Sequence, residues 1–271
     1  MIVTMSRKKR ILLAVAAAFL FCGVYLWFFG EQTYWTLSAR YIGHKFPLVK
    51  RVPVDLRDSS IANSIGAELS YFGFDFQLPW NDFDEQKSKE NPNLAIVVFR
   101  SGLRMMIKNI APKSLINSLL EDGKVDPKQF KELYGENSLD SDYAFTRVML
   151  DATPSQLNWV TPHKDGVRAS MLLIMKAIAV PVDSGIFNVH SGNFKGFQYG
   201  DPNEHPKRIV VDLFSDDKSL EIMFLQKGKA PLNVSQSEIN RVVMTLQRSS
   251  AGTMTPPART DSKAHRTQPG T

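Results

Sequence analysis

The chain has 271 residues, with 33 basic and 27 acidic side chains, a formal net charge of +6 and one cysteine. All of the excess charge lies in residues 1–10 and 249–271, so residues 31–248 hold 26 basic and 26 acidic side chains. Such a neutral domain argues against nucleic acid as a partner. The lone Cys22 excludes disulfides, cysteine zinc sites and thiol catalysis in the part that follows it.

An uncharged apolar run predicts a transmembrane helix over residues 11–30, long enough to cross about 30 Å of hydrocarbon. The preceding residues 1–10 include four consecutive basic side chains, which are typical of a cytoplasmic segment. Tyr25 and Trp27 suit the opposite interface. We therefore expect a single-pass protein of the cell inner membrane, with a cytoplasmic N-terminus and an extracytoplasmic, periplasmic domain.

Two other interpretations of this segment remain open. A cleaved secretory signal needs small residues at its cleavage site, whereas the sequence after the apolar run is bulky and aromatic. A lipoprotein signal would lipidate Cys22, but Phe19, Leu20 and Phe21 stand where small residues are expected. An uncleaved anchor fits the residues best.

Residues 31–66 are predicted to form a helical extension and a linker. Tyr34, Leu37 and Tyr41 continue a helical stripe, and the prolines that follow break it. A short strand is expected within Val52 to Leu56.

The folded domain is predicted to span residues 67–248. Alternation of Phe72, Phe74, Phe76 and Leu78 with polar residues predicts one strand from Leu69 to Leu78. The remaining strands are expected over 94–100, 103–109, 185–191, 194–199, 208–214 and 220–227, the first two forming a hairpin through Ser101-Gly102.

Helices are expected in a central block and at the end of the domain. The central helices are predicted over 114–121, 127–134, 140–150, 154–160 and 167–180. In the last helix Ser235 and Glu238 have the spacing of a capping box, and an apolar stripe runs through Ile239, Val242, Val243 and Leu246. Residues 249–271 contain no aromatic, Leu, Ile or Val side chain, which predicts a disordered tail.

This succession predicts an α+β fold with a mostly antiparallel sheet packed with helices, preceded by a single N-terminal transmembrane helix. Three segments, FGFDFQLPW, GNFKGFQYGDP and IVVDLFSDDKSLEIMFLQKG, occur in an order that resembles the PsbP/DcrB-like family of α/β sandwiches. The resemblance covers about residues 68–248. It implies a non-enzymatic, exported or membrane-attached accessory domain, and it assigns no binding residue.

No catalytic residue, cofactor-binding residue or metal ligand is predicted. The chain lacks a G-x-S-x-G elbow, a phosphate-binding glycine loop and helical HxxxH spacing. The one cluster that suggests chemistry is His190 with His205 and the carboxylates of its loop. It supports an alternative function, that of an envelope hydrolase or metal-dependent enzyme, provided that these side chains converge in the fold.

The leading hypothesis is a membrane-anchored accessory or binding domain without catalysis or cofactor. It would engage a protein or another envelope component, with the membrane contacted by the N-terminal helix. Trp80 and Trp159 stand at predicted element ends, where tryptophan either caps the core or anchors a partner. A domain that serves only as a spacer is a third possibility.

Overall fold

A computed structural model describes residues 49–121, 126–154, 164–180, 184–228 and 230–249, together with 15, 17–25 and a few single positions up to 41. Side chains at 118, 119, 121, 129 and 164–171 are outside this description. Within these ranges the fold is α+β with a mostly antiparallel sheet, as the sequence predicts. Only β1 and β7 pair in parallel among the described strands.

The main sheet has eight strands in the order β1-β7-β8-β9-β10-β6-β5-β4. Their bounds are β1 Val54–Asp55, β4 Lys89–Asn91, β5 Leu94–Val98, β6 Leu103–Ile110, β7 Ile186–Ser191, β8 Phe194–Tyr199, β9 Arg208–Phe214 and β10 Ser219–Gln226. The predicted hairpin through Ser101-Gly102 joins β5 to β6 and is confirmed.

A second sheet contains β2 (Glu68–Tyr71), β3 (Phe74–Gln77) and β11 (Gln247–Arg248) in the order β11-β3-β2. The prediction of a single strand from Leu69 to Leu78 is wrong. Phe72 and Gly73 have φ values of 57° and 82°, and they form a two-residue turn between β2 and β3. A bulky residue is uncommon in this left-handed region, so the sequence gives little sign of the turn.

Five α-helices lie within the described ranges from residue 49 onward: α1 Ser114–Glu121, α2 Pro127–Tyr134, α3 Asp142–Asp151, α4 Lys164–Ala179 and α5 Gln236–Met244. The capping box of Ser235 and Glu238 at the start of α5 is confirmed. Ser141 caps α3 by accepting a hydrogen bond from the Ala144 amide, so this helix begins two residues after the predicted Asp140.

The main sheet is covered on both faces. In β9, Ile209, Val211 and Leu213 point into a core shared with the second sheet and α5. Val210 and Phe214, on the other face of the same strand, pack on a core formed with α1–α4. Alternation along one strand therefore supplies two cores, and the second core contains the cavity described below.

The linker from residue 49 onward is bound to this domain. The Arg51 amide donates to the Leu150 carbonyl over 3.1 Å, and the Ala62 amide donates to the Ser237 carbonyl over 3.0 Å. The Asn240 side-chain amide donates to the carbonyls of Asp58 and Ser60 over 2.9 and 2.8 Å. These contacts connect the linker to α3 and α5.

Several predictions concern residues that lie wholly or largely outside the described part of the chain: the basic segment 1–10, much of the apolar run 11–30, the helix over 154–160 and the tail after residue 249. Residues 17–25 are helical, with Phe19, Leu20 and Phe21 more than 70% exposed. Among the described residues, no helix has both the length and the apolarity needed to cross a membrane.

Candidate functional site: an acid-lined cavity

A cavity of about 220 Å³ lies between the main sheet and helices α1, α3 and α4. Most of its lining is apolar. The apolar side chains are Ile110, Leu115, Met149, Met175, Ile178, Ala179, Phe214 and Leu220, and the polar ones are Ser114, Asp142, Thr146, Asp212, Ser219 and Glu221. Ile178 is 79% exposed and Leu115 is 47% exposed, so apolar side chains from α4 and α1 also face solvent beside the cavity.

Two carboxyl groups face each other on the floor of this cavity. Asp212 of β9 and Glu221 of β10 are directly opposite in the antiparallel register, and both are half-buried. Burial, and then the charge of Glu221, raises the pKa of Asp212 to about 7. A hydrogen bond with Tyr199 and the charge of Lys108 act in the opposite direction. Asp212 therefore exchanges a proton near neutral pH.

A third carboxyl group comes from the first turn of α3. Asp142 is only 7% exposed, and its Oδ2 accepts hydrogen bonds from the Lys113 amide over 2.7 Å and from the Ser219 hydroxyl over 3.0 Å. Its Oδ1 is buried and has no hydrogen-bond partner in the described part of the chain. A buried acceptor in this state carries a desolvation cost of about 1–3 kcal/mol, which a donor on a ligand would offset.

Apolar walls with clustered acceptors are suited to hold a small apolar molecule that carries a donor group. Among the residues that the structure describes, no group of three or more His, Cys, Asp and Glu side chains is placed to hold a metal ion. The cavity thus offers binding and proton exchange, and Ser114, Thr146 and Ser219 supply hydroxyl groups.

The two histidines singled out from the sequence do not converge. His190 is paired with Lys195 near the turn of the β7–β8 hairpin. His205 follows the short 3-10 helix Pro202–Glu204, beyond the other end of β8, where Ile186 pairs with Tyr199. Both histidine side chains are exposed. His190 and His205 lie at opposite ends of β8, so they do not form the common site that the enzymatic alternative requires.

Trp80 lies against the core. Its ring packs edge-on to Phe99 and Phe224, with centroid distances of 5.3 and 6.2 Å, and its Nε1 donates to Glu238 over 3.0 Å. Of the two roles considered for Trp80, these contacts correspond to covering the core. Trp159 is outside the described residues.

A buried lysine, Lys176, directly follows the lining residue Met175 in α4. Lys176 of α4 is 2% exposed, and its Nζ donates to the carbonyls of Val49, Leu150 and Ala152 over 2.7, 2.6 and 2.8 Å. Burial, and then the charge of Arg51, lowers the pKa of Lys176 to about 8. The three bonds join the linker, the end of α3 and α4 next to Met175.

Sequence reasoning missed Asp142, Asp212 and Glu221. A signal was present in β9 and β10, where one acidic side chain interrupts each of the apolar runs VVDLF and LEIMF. An acid on the covered face of a sheet is uncommon, and it points to a functional or paired group.

No protein-family model matches the chain, and comparison with characterised proteins and with solved structures finds no match. The resemblance to PsbP/DcrB-like domains therefore stays a prediction.

Proposed function

We propose that this protein is a membrane-tethered accessory domain that binds a small, largely apolar ligand in the acid-lined cavity and catalyses no reaction. The observation that carries the binding function is the cavity itself, with its apolar lining and unpartnered acceptor. Cavities of about 150 Å³ already bind a benzene-sized molecule, and drug-sized pockets begin at about 300 Å³. A volume of about 220 Å³ therefore suits one ring with a short chain.

The tether is part of the same proposal. It is supported by the uncharged run 11–30 behind a basic segment, which favours a single-pass inner-membrane protein with the domain in the periplasm. The linker contacts through Arg51 and Lys176 would then hold the domain close to the anchor. A protein or envelope component remains the expected partner.

An enzymatic function is a second candidate because of one observation. A carboxyl group with a pKa of about 7 inside a cavity has the property of a general acid or base. The lining hydroxyl of Ser219 donates to the carboxylate of Asp142 over 3.0 Å, but Ser219 is only 2% exposed and has little access to a substrate, so we favour binding.

The test uses the full chain in zwitterionic lipid nanodiscs, with empty nanodiscs as the blank and neutral 2-phenylethanol as the probe. Saturable binding is expected for the wild type. Ala179→Trp, at an exposed lining position in the last turn of α4, should weaken it by about tenfold because the indole occupies the opening. Lys128→Trp, on the exposed surface of α2, is the matched control and should bind as the wild type does.

Absence of saturable binding to the wild-type chain, for 2-phenylethanol and for its charged analogues of similar shape, would contradict the proposed function. Equal binding to the Ala179→Trp and Lys128→Trp variants would contradict the assignment to this cavity.

A further inference from the structure

The charged side chains that line the cavity are all acidic. Asp142, Asp212 and Glu221 all line it, whereas no lining residue that the structure describes is Lys, Arg or His. Lys108 is opposite Glu221 in the β6–β10 register, but its side chain is exposed and it is not part of the lining. The donors to Asp142 Oδ2 are a backbone amide and a hydroxyl, which are neutral. The cavity therefore has a negative potential without an internal counter-ion.

The three carboxyl groups line one cavity, but they do not converge on one point. Ser219 and Glu221 are two residues apart on β10, so their side chains share one face of the sheet about 7 Å apart. Asp142 is hydrogen-bonded to Ser219, and Asp212 is directly opposite Glu221. Asp212 and Glu221 are therefore placed to share one donor group, and Asp142 adds its charge from beside Ser219.

The unpartnered Oδ1 of Asp142 favours a ligand that carries a donor group. This oxygen is an acceptor in a side chain more than nine-tenths buried, and it has no hydrogen-bond partner among the residues that the structure describes. A charged donor bound there would satisfy its hydrogen bond and balance its charge, and charge-assisted bonds are roughly twice as strong as neutral ones. A carboxylate or phosphate ligand would instead add like charge to a low-dielectric site.

We propose that the cavity selects molecules in which a protonated amine is attached to a small apolar body, with the charge of the ammonium balanced by those of Asp142, Asp212 and Glu221. This inference rests on the proposed function, since it names the ligand class of the same cavity. The apolar body occupies the space between Met149 of α3 and Met175 of α4. A metal cation is a poorer occupant, because the described carboxylates are not arranged as a ligand set.

Ionisation of Asp212 adds a dependence on pH. The groups that face Asp212 are Tyr199 of β8, Glu221 of β10 and Lys108 of β6, while Asp142 of α3 lies across the cavity. As the pH rises through about 7, Asp212 loses its proton and the cavity gains a negative charge. An amine that stays protonated over this range should therefore bind more tightly at pH 8 than at pH 6.

The experiment compares three probes of similar shape on the full chain in zwitterionic nanodiscs at pH 8: 2-phenylethylamine, 2-phenylethanol and 3-phenylpropanoate. The amine should bind about tenfold or more tightly than the alcohol, and the carboxylate should bind more weakly than both. Asp142→Asn preserves the shape and an acceptor for Lys113 and Ser219, but it replaces the free oxygen with a donor. This variant and Asp212→Asn with Glu221→Gln should each remove most of the preference for the amine.

The outcomes separate this inference from the proposed function. If the amine and the alcohol bind the wild type equally, or if the carboxylate binds best, the amine preference is wrong while binding in the cavity stands. If none of the three probes binds saturably, the proposed function fails as well. If the preference for the amine persists in both carboxyl variants, the ammonium is held elsewhere and the assignment to these residues is wrong. The comparison of probes on the wild type does not depend on the folding of any variant.

Discussion

Asp212 and Glu221 are directly opposite each other on β9 and β10, on the face of the main sheet that helices α1–α4 cover. Like charges in such cross-strand positions destabilise a sheet. The pair relieves part of this cost because Asp212 stays protonated up to a pH of about 7. At higher pH both carboxyl groups are charged, and their repulsion should lower the free energy of unfolding.

Asp212→Asn should remove a pH dependence of stability. The folded state raises the pKa of Asp212 from 3.8 to about 7, so its relative stabilisation is complete below about pH 4 and is lost as the pH rises to about 7. The wild type should therefore lose about 1–2 kcal/mol relative to the variant between pH 5 and pH 8, since partial exposure reduces the effect. Urea denaturation at both pH values measures this difference.

The control for this prediction is Asp216→Asn, which changes the same residue type in the exposed turn after β9. Parallel pH profiles for the wild type and Asp212→Asn would show that Asp212 ionises as freely in the folded state as in the unfolded state.

Lys176→Met should destabilise the domain by about 2–4 kcal/mol, because the carbonyls of Val49, Leu150 and Ala152 lose a buried donor. The linker should also become more sensitive to proteolysis next to Val49. Lys128→Met, on the exposed face of α2, is the matched control and should stay within about 0.5 kcal/mol of the wild type. Unchanged proteolysis of the linker in the Lys176→Met variant would show that the hydrogen bonds of Lys176 do not hold the linker to α3 and α4.

Gly196→Ala tests the packing that positions the acidic pair. A Cβ at Gly196 of β8 would lie 1.8 Å from the carbonyl oxygen of Asp212, so β9 must move away. We expect a loss of about 1–3 kcal/mol in unfolding free energy. Lys195→Ala alters the exposed neighbour and should have little effect. Equal free energies of unfolding for Gly196→Ala and Lys195→Ala would show that β9 can move away from β8 without loss of stability.

Local signals in the sequence predicted much of the fold. The capping box of Ser235 and Glu238 predicted the start of α5, because both partners are within one helical turn. Ile239 and Val242 are buried as their helical spacing predicts. The Phe72–Gly73 turn was missed because a Phe with positive φ is stabilised by the surrounding fold and not by its own preference.

The cavity depends on contacts between distant parts of the chain, which is why the sequence did not predict it. Asp142 reaches Ser219 across 77 positions. An acidic residue in a strand faces solvent or a cavity according to which helices cover that face, and strand alternation does not settle this. The loop between β8 and β9, in contrast, showed clustered polar residues, but the pairing of β7 with β8 keeps His190 away from His205.

The proposed topology predicts the result of reporter fusions. A reporter that is active only in the periplasm, fused after Arg248, should be active because the basic residues 7–10 precede the apolar run. Replacing these four residues with serine should reduce this activity. A signal only from a cytoplasmic reporter fused at the same position would contradict the proposed orientation.

The most direct test of the binding function is a methyl NMR spectrum of the full chain, labelled at methionine, during titration with 2-phenylethanol. Met149 and Met175 line the cavity, whereas Met105 is fully buried in the core on the opposite face of the sheet. We expect saturable shifts of the Met149 and Met175 methyl signals, caused by the phenyl ring, with the Met105 signal unchanged. Unchanged Met149 and Met175 signals at a high concentration of 2-phenylethanol would contradict the proposed binding function.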